Sequence, residues 1–228
     1  MKTYRCEAKS IDAFLAHVVR LVGTGHYFYF AGTLKPGKDP RKLDRKLIAE
    51  WDLDKPSWKR EARRRGAAPN IHYLRFGRHY LLVATHGKGT NGEPHRFFVE
   101  YESTLQDIRR NALRFCGYSI RYPVSKDTGR RRAFVRLDKD AYARARAELI
   151  AAAIRAQYRD PELIEALVSG LPYQWYRPVR QQLRVILNEV NRVRRHAGLS
   201  PVRLSCVPTK MRVTQIFVDE TAHQFRAG

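Results

Sequence analysis

The sequence predicts an α+β protein, with a mixed or antiparallel sheet of about five to six strands, flanking helices, and a helical C-terminal part. Three observations predict it. Segments rich in aromatic and β-branched residues recur between positions 26 and 138, and such residues suit a pleated surface. Apolar residues at spacings of three and four mark helices before and after them. From Asp138 onward, strand-like segments give way to Ala-rich and amphipathic runs. A soft boundary near 137 therefore separates an α+β basic domain, 1–137, from a helical region with short C-terminal strands, 138–228; the two can also form one continuous domain. Helices on one side of the sheet are the simplest layering.

The elements follow in order. Ser10 caps a helix that runs to Gly23, with Ile11, Phe14, Leu15, Val18 and Val22 as its apolar stripe. The aromatic run HYFYFAGTL reads as a strand ending in a Lys35-Pro36-Gly37 turn. Asp39-Pro40 opens a second helix, because Pro is pre-organised for the first helical position. A short basic helix is expected from Ser57 to Gly66. IHYLRF and HYLLVATH form a hairpin about Gly77-Arg78. After a Gly-rich loop, HRFFVEYES is expected as a strand and LQDIRRNAL as a helix. A second hairpin joins RFCGYSIRYPV to RRRAFVRLD through SKDTG. Helices follow over 138–158, 160–170 and 178–198, and the tail holds two short extended segments.

Charge is the strongest functional signal. The chain has 44 Lys and Arg against 22 Asp and Glu, a net charge of +22. Of the 44 cations, 32 are Arg, the residue that grips phosphate and guanine bidentately and stacks on bases. Such a chain seeks a polyanion, with nucleic acid, DNA or RNA, ahead of a membrane surface. Cys6, Cys116 and Cys206 are widely separated and include no Cys-x-x-Cys pair, which excludes a zinc ribbon and fits reduced thiols. No apolar run approaches a membrane span, and the first residues read as an amphipathic helix rather than a signal peptide. A cytoplasmic protein is expected.

Four groups of residues can carry function. In the last long helix, Arg177, Arg180, Arg184, Asn188, Asn191 and Arg195 repeat at helical spacing opposite the apolar stripe. Arg pairs with guanine, Asn with adenine, and both reach phosphate. Basic clusters lie at Arg60 with Arg63, Arg64 and Arg65, at Arg109-Arg110, and at Arg130, Arg131 and Arg132 in a hairpin arm. Tyr27 and Tyr29 share a strand face, and Tyr73 shares one with Arg75, so both pairs can stack on unpaired bases. The loop THGKGTNGEPH brings together His86, Lys88, Glu93 and His95. Lys88 and the loop N–H groups can touch phosphate. Two histidines and a carboxylate can hold a divalent metal ion, and one His with the Lys can act as acid and base in phosphodiester cleavage. No cofactor is otherwise evident.

Phe98-Val99-Glu100-Tyr101 resembles the last half of the second motif of RNA-recognition sheets, without that motif's glycine and first aromatic. The order of elements, with Tyr142 on a helix, loosely resembles the nicking endonucleases of rolling-circle replication and transposition. Those enzymes use a His-hydrophobic-His pair, and no His-x-His occurs here, so no family is assigned. The sequence therefore carries two function classes forward. One is a non-enzymatic nucleic-acid-binding protein of a mobile element or ribonucleoprotein system, its partner DNA or RNA within, in one version, a protein–RNA assembly. The other is an endonuclease or nicking and strand-transfer enzyme using His86, Glu93, His95 and Tyr142.

Overall fold

A computed structural model describes residues 4–55, 61, 65, 67–89, 92–126, 128–171, 176–207 and 215–218. The protein is mixed α+β, with two antiparallel sheets and a helical C-terminal part. It forms two compact units: Met1–Ala112 with Tyr122–Ala133 and Thr214–Gly228, and Leu113–Arg121 with Phe134–Val213. The small second sheet thus belongs with the C-terminal helices.

The first unit holds α1 (Ile11–Gly23), β1 (His26–Thr33), α2 (Pro40–Glu50), β2 (Ile71–Phe76), β3 (His79–Thr85), α3 (Arg96–Glu100) and β4 (Gln106–Asp107). Its sheet runs β2-β3-β1-β4, antiparallel throughout. Ser10 and Asp39 cap α1 and α2, accepting from the N–H groups of Ala13 and Arg41. One sheet face, with Phe28, Phe30, Ile71, Tyr73 and Leu82, packs with Leu47 and Trp51 of the α2 region and Phe97 of α3. The other face, with Tyr29, Leu74, Leu81 and Val83, is also buried, and α1 packs against β1 and β2. Helices therefore lie on both faces, not on one as the sequence suggested. Leu81 to Ala84 are four consecutive buried residues, the pattern of a strand covered on both sides.

Several expected elements differ. HRFFVEYES is no strand: His95 caps α3, its Nδ1 accepting from the N–H of Phe97 at 3.2 Å. Phe97 is fully buried while Val99 is 59% exposed, whereas a strand would put both on one face. The likeness of FVEY to an RNA-recognition strand lapses with it. LQDIRRNAL is no helix: Gln106 and Asp107 pair with Tyr29 and Phe28. The Asp107 carboxylate then accepts from the Arg109 N–H at 2.9 Å, a local turn bond that competes with helix.

The second unit holds β5 (Leu113–Phe115), β6 (Tyr118–Arg121), β7 (Phe134–Leu137), α4 (Lys139–Ala152), α5 (Pro161–Ser169) and α6 (Arg177–His196). What reads in sequence as one strand is split by a tight turn at Cys116 and Gly117, with φ of 45° and 82°, the left-handed pair that a two-residue hairpin requires. Helix α6 buries Val179, Leu183, Ile186, Leu187 and Val190, each contributing about 1.5–3 kcal/mol. It packs on α4 and β7. The Gln182 amide accepts from the N–H of Leu137 at 2.8 Å and donates to its carbonyl at 3.2 Å, satisfying the edge of β7.

The helix expected over 138–158 ends at Ala152. The carbonyls of Ala153, Tyr158 and Arg159, in the segment that follows, are taken by the buried guanidinium of Arg194, at 3.2, 2.8 and 2.7 Å. Nε of Arg194 also donates to the Ser200 carbonyl at 2.6 Å.

Candidate functional site

Two basic surfaces stand out, one on each unit. The first is the exposed side of α6. Arg177, Gln181, Arg184, Asn188, Arg192 and Arg195 are all exposed, at steps of four, three, four, four and three, a single stripe along the helix. The sequence-expected row is therefore shifted. Arg180 is half-buried. Asn191 is committed to the fold, its amide donating to the Val202 carbonyl at 2.8 Å and accepting from the Val202 N–H at 2.7 Å. Gln181 and Arg192 were missed, although their spacing to Arg177, Arg184 and Arg195 was readable. No acidic residue lies in the stripe. Glu189, on the adjoining flank, is engaged by Arg146 at 2.5 Å.

The second surface is on the first unit. The arm after Tyr122 is a two-stranded ribbon: Val124 pairs with Arg131, and Ser125 N–H donates to the Arg130 carbonyl at 2.8 Å. Arg130, Arg131 and Arg132 are all exposed on it. Its base is fixed by Arg131, whose Nη1 donates to the Tyr122 carbonyl at 3.0 Å. The ring of Tyr122 lies 5.4 Å from that of Tyr27. Over Tyr27, at 4.7 Å, sits the Arg109 guanidinium. Asp107 holds that cation flat through Nε at 2.9 Å and Nη2 at 2.7 Å. Burial acts to raise the Asp107 carboxyl, but the side-chain and backbone hydrogen bonds from Arg109 outweigh it and hold the group below the usual carboxylate range. The result is an arginine pre-oriented on a tyrosine, with Nη1 outside the Asp107 fork.

Of the other expected stacking residues, Tyr29 is buried and its hydroxyl donates to the Ala112 carbonyl at 3.1 Å. Tyr73 and Arg75 are buried around Asp44, at 2.7 and 2.8 Å. None of the three offers a base a free face. Arg60, Arg63 and Arg64 lie outside the described residues.

The Gly-rich loop is built as a turn. Lys88 pairs with Pro94, its N–H donates to Ala67 at 2.9 Å, and Gly89 N–H donates to Glu93 at 2.6 Å. A Cβ at Gly87 would lie 2.2 Å from the Pro69 nitrogen, so only glycine passes there. The N–H groups of Lys88 and Gly89 are thus already used within the turn, while the Lys88 side chain is exposed. His95 spends Nδ1 on capping α3. His86 lies beside Phe28 with ring centroids 6.0 Å apart, and Glu93 is exposed. Among the described residues no group of three or more His, Cys, Asp or Glu is placed to hold a metal ion. Tyr142, half-buried on α4, belongs to the second unit and the loop to the first. No described helix is long and apolar enough to cross a membrane. Neither the protein-family models nor the curated proteins give a match to this chain.

Proposed function

We propose that the protein binds nucleic acid through arginine–phosphate contacts, using the α6 stripe and the Arg109–Tyr27 surface with its Arg130–Arg132 arm. The observation that carries this reading is the stripe itself: four arginines, a glutamine and an asparagine, all exposed and without an acid among them. None of the four arginines forms an ion pair among the described residues, whereas Arg109, Arg146 and Arg203 each have a carboxylate. Aligned cations on a rigid helix repel one another, and a polyanion relieves that repulsion. Arg, Asn and Gln are also the side chains that read guanine and adenine edges.

The test is retention of end-labelled single-stranded DNA, duplex DNA and RNA on native gels across a salt series, with denaturing gels in Mn²⁺ or EDTA alongside. Binding that weakens steeply with salt, without cleavage, is expected. Affinity indifferent to salt would refute the reading. Metal-dependent cuts would move the assignment to an enzyme.

A further inference from the structure

We infer that the outer face of the β5-β6-β7 sheet is a platform for single-stranded nucleic acid, a surface separate from the α6 stripe. The inference rests on the nucleic-acid reading and deepens it. Register defines the face. Leu113, Ile120 and Val135 form one rung, and Phe115, Tyr118 and Leu137 another; all six are buried, so this side is the inner one. The alternating positions make the outer side. There Arg114, Ser119 and Arg136 lie in one rung, and Arg121 pairs with Phe134 in the next.

The chemistry of that side is narrow. Arg114, Arg121 and Arg136 are exposed, and none has an ion pair among the described residues. The three strands, LRF, YSIR and FVRL, contain no acid. Arg114 and Arg136 flank Ser119, itself buried at 6% exposure, with their backbones about 10 Å apart, two inter-strand spacings. Phe134 is 40% exposed, although an aromatic on this side gains nothing from solvent. Cations around a partly exposed aromatic on a sheet face are what an unpaired strand needs: charge for its phosphates and a ring for a base. A duplex hides its base faces, so it cannot use Phe134.

The experiment measures binding of a fluorescent single strand of about 20 nucleotides, as DNA and as RNA, and of the matching duplex, to the full chain; that length covers at least one typical single-strand site. Proteins compared are the parent, Arg114→Gln/Arg136→Gln, Phe134→Ala, and Arg184→Ala/Arg192→Ala on α6. These positions are exposed, and an unchanged urea midpoint establishes folding. The double Gln variant is expected to weaken single-strand binding about tenfold and to lower the salt slope by between one and two. Phe134→Ala is expected to weaken it about tenfold with the salt slope unchanged, because stacking releases no counterions. It leaves duplex binding as it was. A photoreactive bromouracil strand is expected to crosslink within 132–137. If the parent binds no nucleic acid, the reading above fails. If the parent binds and only the α6 variant weakens it, the sheet platform alone is overturned. Equal loss for duplex and single strand in Phe134→Ala also overturns it.

Discussion

The buried guanidinium of Arg75 is gripped by the carboxylate of Asp44, Nε to Oδ1 at 2.8 Å and Nη2 to Oδ2 at 2.9 Å. Glu7 takes Nη2 from another side at 2.8 Å, the Gly77 carbonyl takes Nη1 at 2.9 Å, and the Tyr73 hydroxyl donates to Asp44 at 2.7 Å. A β2 arginine is thereby tied to α2 and to the N-terminal segment. The Arg75 charge is compensated on all sides, and its proton affinity is raised: burial opposes the charged form, and Asp44 and then Glu7 outweigh it. Asp44→Ala leaves that cation buried and short of its main partner. It should destabilise the first unit by about 3–5 kcal/mol. Tyr73→Phe removes a single hydrogen bond to the carboxylate and should cost about 1.5–3 kcal/mol. Urea unfolding of both variants checks the order.

Arg194 does the equivalent work in the second unit. It is fully buried at the end of α6 and joins four carbonyls from two segments. Arg194→Lys keeps the charge but has no planar fork to span them, so it should not rescue. Both Arg194→Ala and Arg194→Lys should lose about 3 kcal/mol or more in urea unfolding. A lysine variant as stable as the parent would refute the clasp.

Acid should loosen the first unit before the carboxylates titrate. His17 and His26 are both lowered to about 4, His17 by burial and then by the Arg20 cation, His26 by burial against a smaller opposing effect of the Leu21 carbonyl. The neutral rings are the folded forms, and the unfolded chain binds protons near pH ~6.5. The stability they contribute is therefore complete above pH ~6.5 and is lost as pH falls toward about 4. By pH ~5 the loss should be about 2 kcal/mol per histidine. Urea midpoints at pH ~7.5 and ~5 test this, and His17→Gln with His26→Gln should flatten the difference.

The α6 stripe and the row expected from sequence make different forecasts. Arg184→Ala with Arg192→Ala should lower the salt slope of nucleic-acid binding by about two, since each phosphate neutralised on a duplex adds roughly 0.9 to it. Asn191→Ala should lower stability, because its amide pins Val202, and leave affinity at fixed salt unchanged where the variant is folded. Weaker binding by folded Asn191→Ala would return that residue to the binding surface.

Asp107→Ala makes the protein more basic yet should weaken binding. The carboxylate holds Arg109 over Tyr27, and without it the side chain must be ordered as the nucleic acid docks. Titration with single-stranded and duplex DNA at fixed salt decides it; tighter binding would show that net charge alone matters.

Much of this was legible in the sequence because it is local. The Ser10 and Asp39 caps, the Gly77-Arg78 hairpin and the apolar stripe of α6 depend on neighbours within one turn of chain, and all stand in the structure. So does the exposure of Arg130 to Arg132. What sequence alone could not decide was which polar residues are consumed by distant partners. Tyr29, Arg75, Asn191 and Arg194 read as surface or binding groups, or went unnoticed; the tertiary structure spends them on Ala112, Asp44, Val202 and four carbonyls at Ala153, Tyr158, Arg159 and Ser200. His95 likewise looked like a strand residue until its ring capped α3. The sequence by itself set the charge, the helical periods and the turns. Only the tertiary structure decided which arginines face water, because a buried guanidinium must find acceptors that lie tens of residues away.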